Sequence, residues 1–213
     1  MTRILAIADE VDEAIYADKL TRLRPDVVVS CGDLPFDYLE YIVSRVDVPL
    51  VYVLGNHDPE LRSTVPTWTP VRTETLMLGP QGCDNADGRV VAAMGLRIAG
   101  LGGSMRYRPG GPHQYSDAEM RWRALSLEVR IKLNPSPAAR KVDVLITHAP
   151  PLGWGARDDL AHRGFASFVR LVRVLNPKVL IHGHVHPYGR SEPQRALGTT
   201  QIINAVPSRL IEI

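Results

Sequence analysis

Gly55-Asn56-His57-Asp58 puts an amide, an imidazole and a carboxylate in succession, directly after the apolar, β-branched run Leu50-Val51-Tyr52-Val53-Leu54. Alone, Gly-Asn is a turn dipeptide. The arrangement recurs along the chain, however. Ile4-Leu5-Ala6-Ile7-Ala8 ends at Asp9, and Val27-Val28-Val29-Ser30-Cys31 ends at Gly32-Asp33. Val142-Asp143-Val144-Leu145-Ile146-Thr147 ends at His148, and Val179-Leu180-Ile181 runs into His182-Gly183-His184-Val185-His186. Short apolar runs bounded by glycine or proline have the pattern of buried strands. The carboxyl ends of buried parallel strands share one edge, where ligands bind. Such a sheet gathers Asp9, Asp33, Asn56, His148, His184 and His186 into one candidate metal site. Carboxylates, imidazoles and an amide together suit Mn, Fe or Zn, whereas Ca prefers oxygen alone.

The ordered series Asp9, Gly32-Asp33, Gly55-Asn56-His57-Asp58, His148 and Gly183-His184-Val185-His186 resembles the calcineurin-like metallophosphoesterases. The resemblance implies an α/β fold of two packed mixed β-sheets flanked by helices, a four-layer αββα sandwich. It implies one or two divalent metal ions, one held by Asp9, Asp33 and His186 and the other by Asp33, Asn56, His148 and His184. It implies hydrolysis of a small phosphoester, a diester in preference to a monoester. His57 would then be the general acid for the leaving oxygen, with Asp58 holding its other ring nitrogen. The family's first block reads Asp-x-His, and here it reads Asp9-Glu10-Val11. In an extended strand residues 9 and 11 point the same way, so the metal held by Asp9 and His186 is expected to lack a protein ligand and to bind more weakly. Val11→His is expected to restore it; Glu10 would face away unless the strand has already turned, and Asp12 or His162 could reach in. The alternative is a catalytically degenerate member acting as a binding or scaffold module. Val11 keeps that reading open, while the retained His57 and His186 argue against it.

The elements that must position these groups follow from the intervening sequence. A strand over residues 2–8, a helix over 12–23, a strand over 27–31, a helix over 35–45 and a strand over 50–54 indicate βαβ units and a parallel sheet. Residues 59–80 read as a loop with short extended pieces. Val90–Ala93 and Leu96–Leu101 bracket Met94-Gly95 as a hairpin. Ser116-Asp117-Ala118-Glu119 is a capping box opening a helix to about Lys132. A helix over 165–175 and a closing strand pair, 200–204 with 209–213, complete the reading. The Gly/Pro-rich stretch 102–113 is either a solvated connector or a substrate-facing loop, in which Arg106, Arg108 and His113 would contact an anion. His162-Arg163 is a further candidate, because an Arg fork suits phosphate oxygens. His182 reads as a core histidine.

All the candidate ligands serve one site, so residues 1–213 read as a single domain. A net charge of +2, with no run of basic residues, indicates no nucleic-acid patch. Cys31 and Cys83 make no secreted disulfide framework, although a bridge between them is open. No signal peptide and no stretch of membrane-spanning length is seen, and the chain reads as cytoplasmic. Oligomeric state is left open.

Overall fold

The computed structural model describes residues 1–61, 79–154, 159–187 and 195–213. The loop expected over residues 59–80 therefore lies mostly outside the described residues. The N-terminal part builds β1 (Arg3–Ile7), α1 (Glu13–Tyr16), α2 (Lys19–Leu23), β2 (Val27–Ser30), α3 (Phe36–Arg45) and β3 (Leu50–Tyr52). The single helix expected over 12–23 is two. Asp12 caps the first by accepting the Ala14 N–H at 3.1 Å, and the chain leaves helical geometry at Ala17, with ψ −117°.

The middle supplies β4 (Cys83–Asn85), the hairpin of β5 (Val90–Ala93) and β6 (Leu96–Leu101), then β7 (Ser104–Met105) and β8 (Gln114–Tyr115). Met94 and Gly95 both have positive φ, 48° and 76°, the pattern of the tight hairpin turn that matches strand twist. The capping box forms as expected and opens α4 (Asp117–Lys132). The C-terminal part adds β9 (Val144–Thr147), α5 (Ala166–Leu175), β10 (Val179–His182), β11 (Arg195–Leu197), β12 (Thr200–Asn204) and β13 (Ser208–Glu212).

The strands form two large mixed sheets, in the orders β13-β1-β2-β3-β4 and β11-β12-β10-β9-β6-β5, with β7 and β8 as a separate pair. Alternation along each strand assigns side chains to layers. Ile4, Ala6 and Ala8 of the first sheet and Val144, Ile146, Val179 and Ile181 of the second share the cluster between the sheets. Leu5, Ile7, Val28 and Leu50 face Ile15, Tyr38, Leu39 and Ile42 of the helices outside the first sheet. Leu145 and Leu180 face Met120, Leu127, Phe168 and Leu171 outside the second. Each such buried aliphatic or aromatic side chain contributes about 1.5–3 kcal/mol relative to exposure, so strand ends carried on these sheets are rigidly placed.

The expected pairing of 200–204 with 209–213 does not occur. β12 lies parallel to β10 in the second sheet, and β13 runs antiparallel to β1 in the first. Their apolar residues separate accordingly, Ile202 facing the helices of the second sheet and Ile211 facing the layer between sheets. Cys31 and Cys83 are both free thiols. Among the described residues no helix is long and apolar enough to cross a membrane.

Candidate metal centre

The segments leaving β1, β2, β3, β9 and β10 converge on one edge, and the first bends happen at the functional residues themselves. Asp9, Asp33 and His184 all have positive φ, 62°, 56° and 66°. Asp9 and His184 are each the centre of a γ-turn. The Glu10 N–H donates to the Ala8 carbonyl at 2.6 Å, and the Val185 N–H donates to the Gly183 carbonyl at 2.8 Å. Backbone of this kind costs about 1–3 kcal/mol per residue and persists only where surroundings hold it. Here the two turns hold each other, since Asp9 Oδ2 accepts the His184 N–H at 2.8 Å. Gly183 is required by that contact, because a Cβ there would lie 2.3 Å from Asp9 Oδ2.

The β2 and β3 ends are tied by reciprocal bonds. Asp33 Oδ1 accepts the His57 backbone N–H at 2.7 Å. Asp58 Oδ2 accepts the N–H groups of Gly55, at 2.7 Å, and Asp33, at 3.0 Å. Asp58 was expected to hold the ring of His57. Its carboxylate instead braces the two loops, buried, and burial keeps its pKa above the ordinary carboxylate value despite those two donors. The His57 side chain is exposed on a cleft of about 350 Å³ that it lines with Asp33, Leu34, Pro35, Phe36, Asp58 and Pro59.

Ligand-type atoms of Asp9, Asp33, His148 and His184 all lie within 4.8 Å of one another. Each histidine has one ring nitrogen engaged elsewhere. His148 Nδ1–H donates to the Cys31 carbonyl at 2.7 Å, which turns Nε2 to within 3.0 Å of Asn56 Oδ1 and 3.3 Å of Asp33 Oδ2. His184 Nε2–H donates to the Ala161 carbonyl at 2.9 Å, leaving Nδ1 for the cluster. Fixing one nitrogen as a donor is how proteins orient metal-binding imidazoles. His186 Nε2 lies 4.0 Å from Asp9 Oδ1. All six expected ligands are thus brought to the same edge, and the four-residue cluster of Asp9, Asp33, His148 and His184 fits a divalent cation.

The electrostatics point the same way. Burial opposes charge on His148, but the Asp33 and Asp9 carboxylates hold its pKa up at about 9. Burial would raise Asp33, yet His148 and the His57 N–H bring it down to about 2. Burial keeps Asp9 above its usual range, only partly offset by His148 and the His184 N–H. Burial, followed by the nearby His148, pushes His184 down to about 3. The cluster therefore combines anionic Asp33 with a neutral His184 and keeps a proton on His148, the positive charge that the two carboxylates favour there. His182 is also lowered by burial, to about 4, and donates from Nδ1 to Gly183, the satisfied core histidine its position suggests.

Val11 does not occupy a vacated ligand position. The γ-turn at Asp9 ends the extended register, and Val11 packs against the helix-side cluster with Leu5, Ile7 and Ile15. The expectation that residues 9 and 11 share a strand face is overturned by that turn. Asp12 is committed to Lys19 and Ser208. Glu10 instead comes round to His186, their Oε1 and Nδ1 atoms 2.6 Å apart.

The substrate-contact candidates divide. Arg106 Nη2 donates to both Glu119 carboxylate oxygens, at 2.8 and 2.9 Å, and Arg163 Nη2 donates to Asp117 at 2.6 Å, so both guanidiniums are paired with carboxylates. His113 Nε2–H donates to the Pro59 carbonyl at 3.1 Å, and Arg108 lies 5.3 Å from the Tyr107 ring centroid. His162 remains beside the centre, its ring 4.8 Å from that of His184 and its Nδ1 2.7 Å from Asp159. The residue of this loop that does reach the ligands is Tyr107, whose hydroxyl accepts from Asn56 Nδ2 at 3.1 Å. That bond fixes which end of the amide faces His148. Tyr107→Phe should cost about 0.5–1.5 kcal/mol of Asn56 orientation, read as up to roughly tenfold weaker metal uptake in a Mn titration. Unchanged uptake would remove Tyr107 from the centre.

An uncharacterised protein of Haemophilus influenzae is 29% identical over 183 residues, spanning 75% of this chain and 72% of its own. One crystal structure aligns with a TM-score of 0.63 at 17% identity, covering 95% of this chain and 90% of its own. The crystal structure of a Thermus thermophilus protein gives 0.60 at 17%, covering 96% and 88%. These likenesses are of fold. The model of the calcineurin-like phosphoesterases matches residues 3–188, a span that contains the ends of β1, β2, β3, β9 and β10 and all six ligand-type residues. This chain belongs to the calcineurin-like phosphoesterase family.

Proposed function

We propose that the protein hydrolyses a small phosphoester, a diester in preference to a monoester, using one or two divalent ions of Mn, Fe or Zn. The observation that carries this is the convergence of Asp9, Asp33, His148 and His184 within 4.8 Å. Asp9, Asp33 and His186 would hold one ion, and Asp33, Asn56, His148 and His184 the other. When bound, such ions supply Lewis-acid polarisation of the phosphoryl group and a more acidic water. The chain's own contribution is placement and proton transfer. His57, exposed on the cleft beside Asp33, gives its ring proton to the departing oxygen. Asp58 acts on it through the backbone, by fixing the loop that carries it. The apolar walls at Leu34, Pro35, Phe36 and Pro59 suit an organic group on the ester. The commitment of Arg106 and Arg163 to carboxylates suits the single charge of a diester better than the double charge of a monoester. The four described segments are taken as one domain, and two free thiols suit a cytoplasmic protein.

The test is metal analysis of the purified chain combined with turnover of generic aryl diesters and monoesters. Bound metal with diester turnover above monoester turnover is the expected result. Metal bound without turnover of either would leave a binding or scaffold module instead.

A further inference from the structure

The His186 side of the centre contains an arrangement that neither the family motif nor the strand pattern specifies. The γ-turn at Asp9 swings residue 10, rather than residue 11, toward the second sheet. Glu10 Oε1 lies 2.6 Å from His186 Nδ1, and His186 Nε2 lies 4.0 Å from Asp9 Oδ1. A carboxylate can only accept from imidazole, so this contact places a proton on Nδ1 and directs Nε2 toward Asp9. These two donor atoms, 4.0 Å apart, face one another across the position of a shared ion, which would draw them closer to reach bond lengths of about 2.0–2.2 Å to each.

We propose that Glu10 is the positioning residue for His186 at the metal position shared with Asp9. The inference rests on the metal-centre reading above. His148 and His184 are oriented by backbone carbonyls, of Cys31 and Ala161. His186 is oriented by a carboxylate, which fixes the ring. Consecutive residues thus divide the work, Asp9 as ligand and Glu10 as the group that aims the ligand from the other sheet. The Glu10 side chain is about half exposed, 52%, so its replacement leaves the core intact.

The experiment compares wild type, Glu10→Gln and Glu10→Ala by two readouts. The first is the tautomer of His186 in metal-free protein, from long-range ¹⁵N–¹H NMR of ¹⁵N-histidine-labelled chain at a pH where the ring is neutral. His186→Asn assigns the signal. Wild type should show the Nδ1–H form, Glu10→Gln should keep it because the amide oxygen still accepts, and Glu10→Ala should move to the Nε2–H form. The second is Mn titration, in which Glu10→Ala should weaken uptake at the lower-affinity position by roughly 10–100-fold, and Glu10→Gln by clearly less. An Nε2–H wild type, or a tautomer unmoved in Glu10→Ala, would overturn the proposal. Equal metal loss in both variants would overturn it in favour of Glu10 as a direct ligand. A wild type that takes up no metal would defeat the proposed function, while the metal-free tautomer readout would still decide the role of Glu10.

Discussion

Asp33→Asn is expected to take turnover to background, a loss greater than roughly 10⁴-fold, and to strip the protein of metal on dialysis. The variant is isosteric, and its amide oxygen can still accept the His57 N–H that Asp33 Oδ1 receives at 2.7 Å. The loop should therefore stay in place, and the loss isolates the charge. That charge is the one the centre is organised around, since Asp33 holds His148 at 3.3 Å and is the main influence holding that buried imidazole's pKa up. A shared anionic oxygen is also what lets two cations sit close enough to clamp one phosphoryl group. The loss should exceed the roughly 10²–10⁴-fold contribution of a positioned acid or base. Retained metal stoichiometry with turnover within tenfold of wild type would refute the shared-ligand assignment.

His57→Asn should lower turnover by roughly 10²–10⁴-fold with metal content unchanged. His57 lies outside the ligand cluster and its side chain is exposed on the cleft. The backbone N–H that anchors it survives the substitution. The deficit should shrink for esters with acidic leaving groups, which depart without protonation. A variant that loses metal but keeps its activity per bound metal would show that His57 is a ligand and not the acid.

The strand ends were legible because each is an apolar run closed by a polar group, and burial on both faces leaves no other reading for such runs. That pattern located Asp9, Asp33, Asn56, His148 and His184, and through them the family. It did not reveal strand partners, because period-2 hydrophobicity specifies a face and not a neighbour; β12 and β13 accordingly went to different sheets. Nor did it reveal side-chain direction beyond the last strand residue. Val11 was read on an extended register that stops at Asp9, where φ becomes 62°. Tyr107 was passed over for its cationic neighbours, and Glu10 was weighed only as a substitute for the missing histidine, although each is sequence-adjacent to a residue already singled out. The cations drew attention by charge, but Glu119 and Asp117 had already neutralised Arg106 and Arg163.

The six ligand-type residues split evenly between the two sheets: Asp9, Asp33 and Asn56 follow strands of one, and His148, His184 and His186 follow strands of the other. The layer between those sheets is apolar, and apolar attraction is non-directional. By itself it would tolerate sliding of one sheet over the other. The bond from the His184 N–H to Asp9 Oδ2 and the Cys31 thiol donating to the Ile181 carbonyl at 3.4 Å do not. The edge that gathers the ligand-type residues is therefore also the vernier of the sandwich, selecting a single alignment of two otherwise slippery surfaces. A cation bound across it would tighten that alignment by mass action, in proportion to its concentration over its dissociation constant.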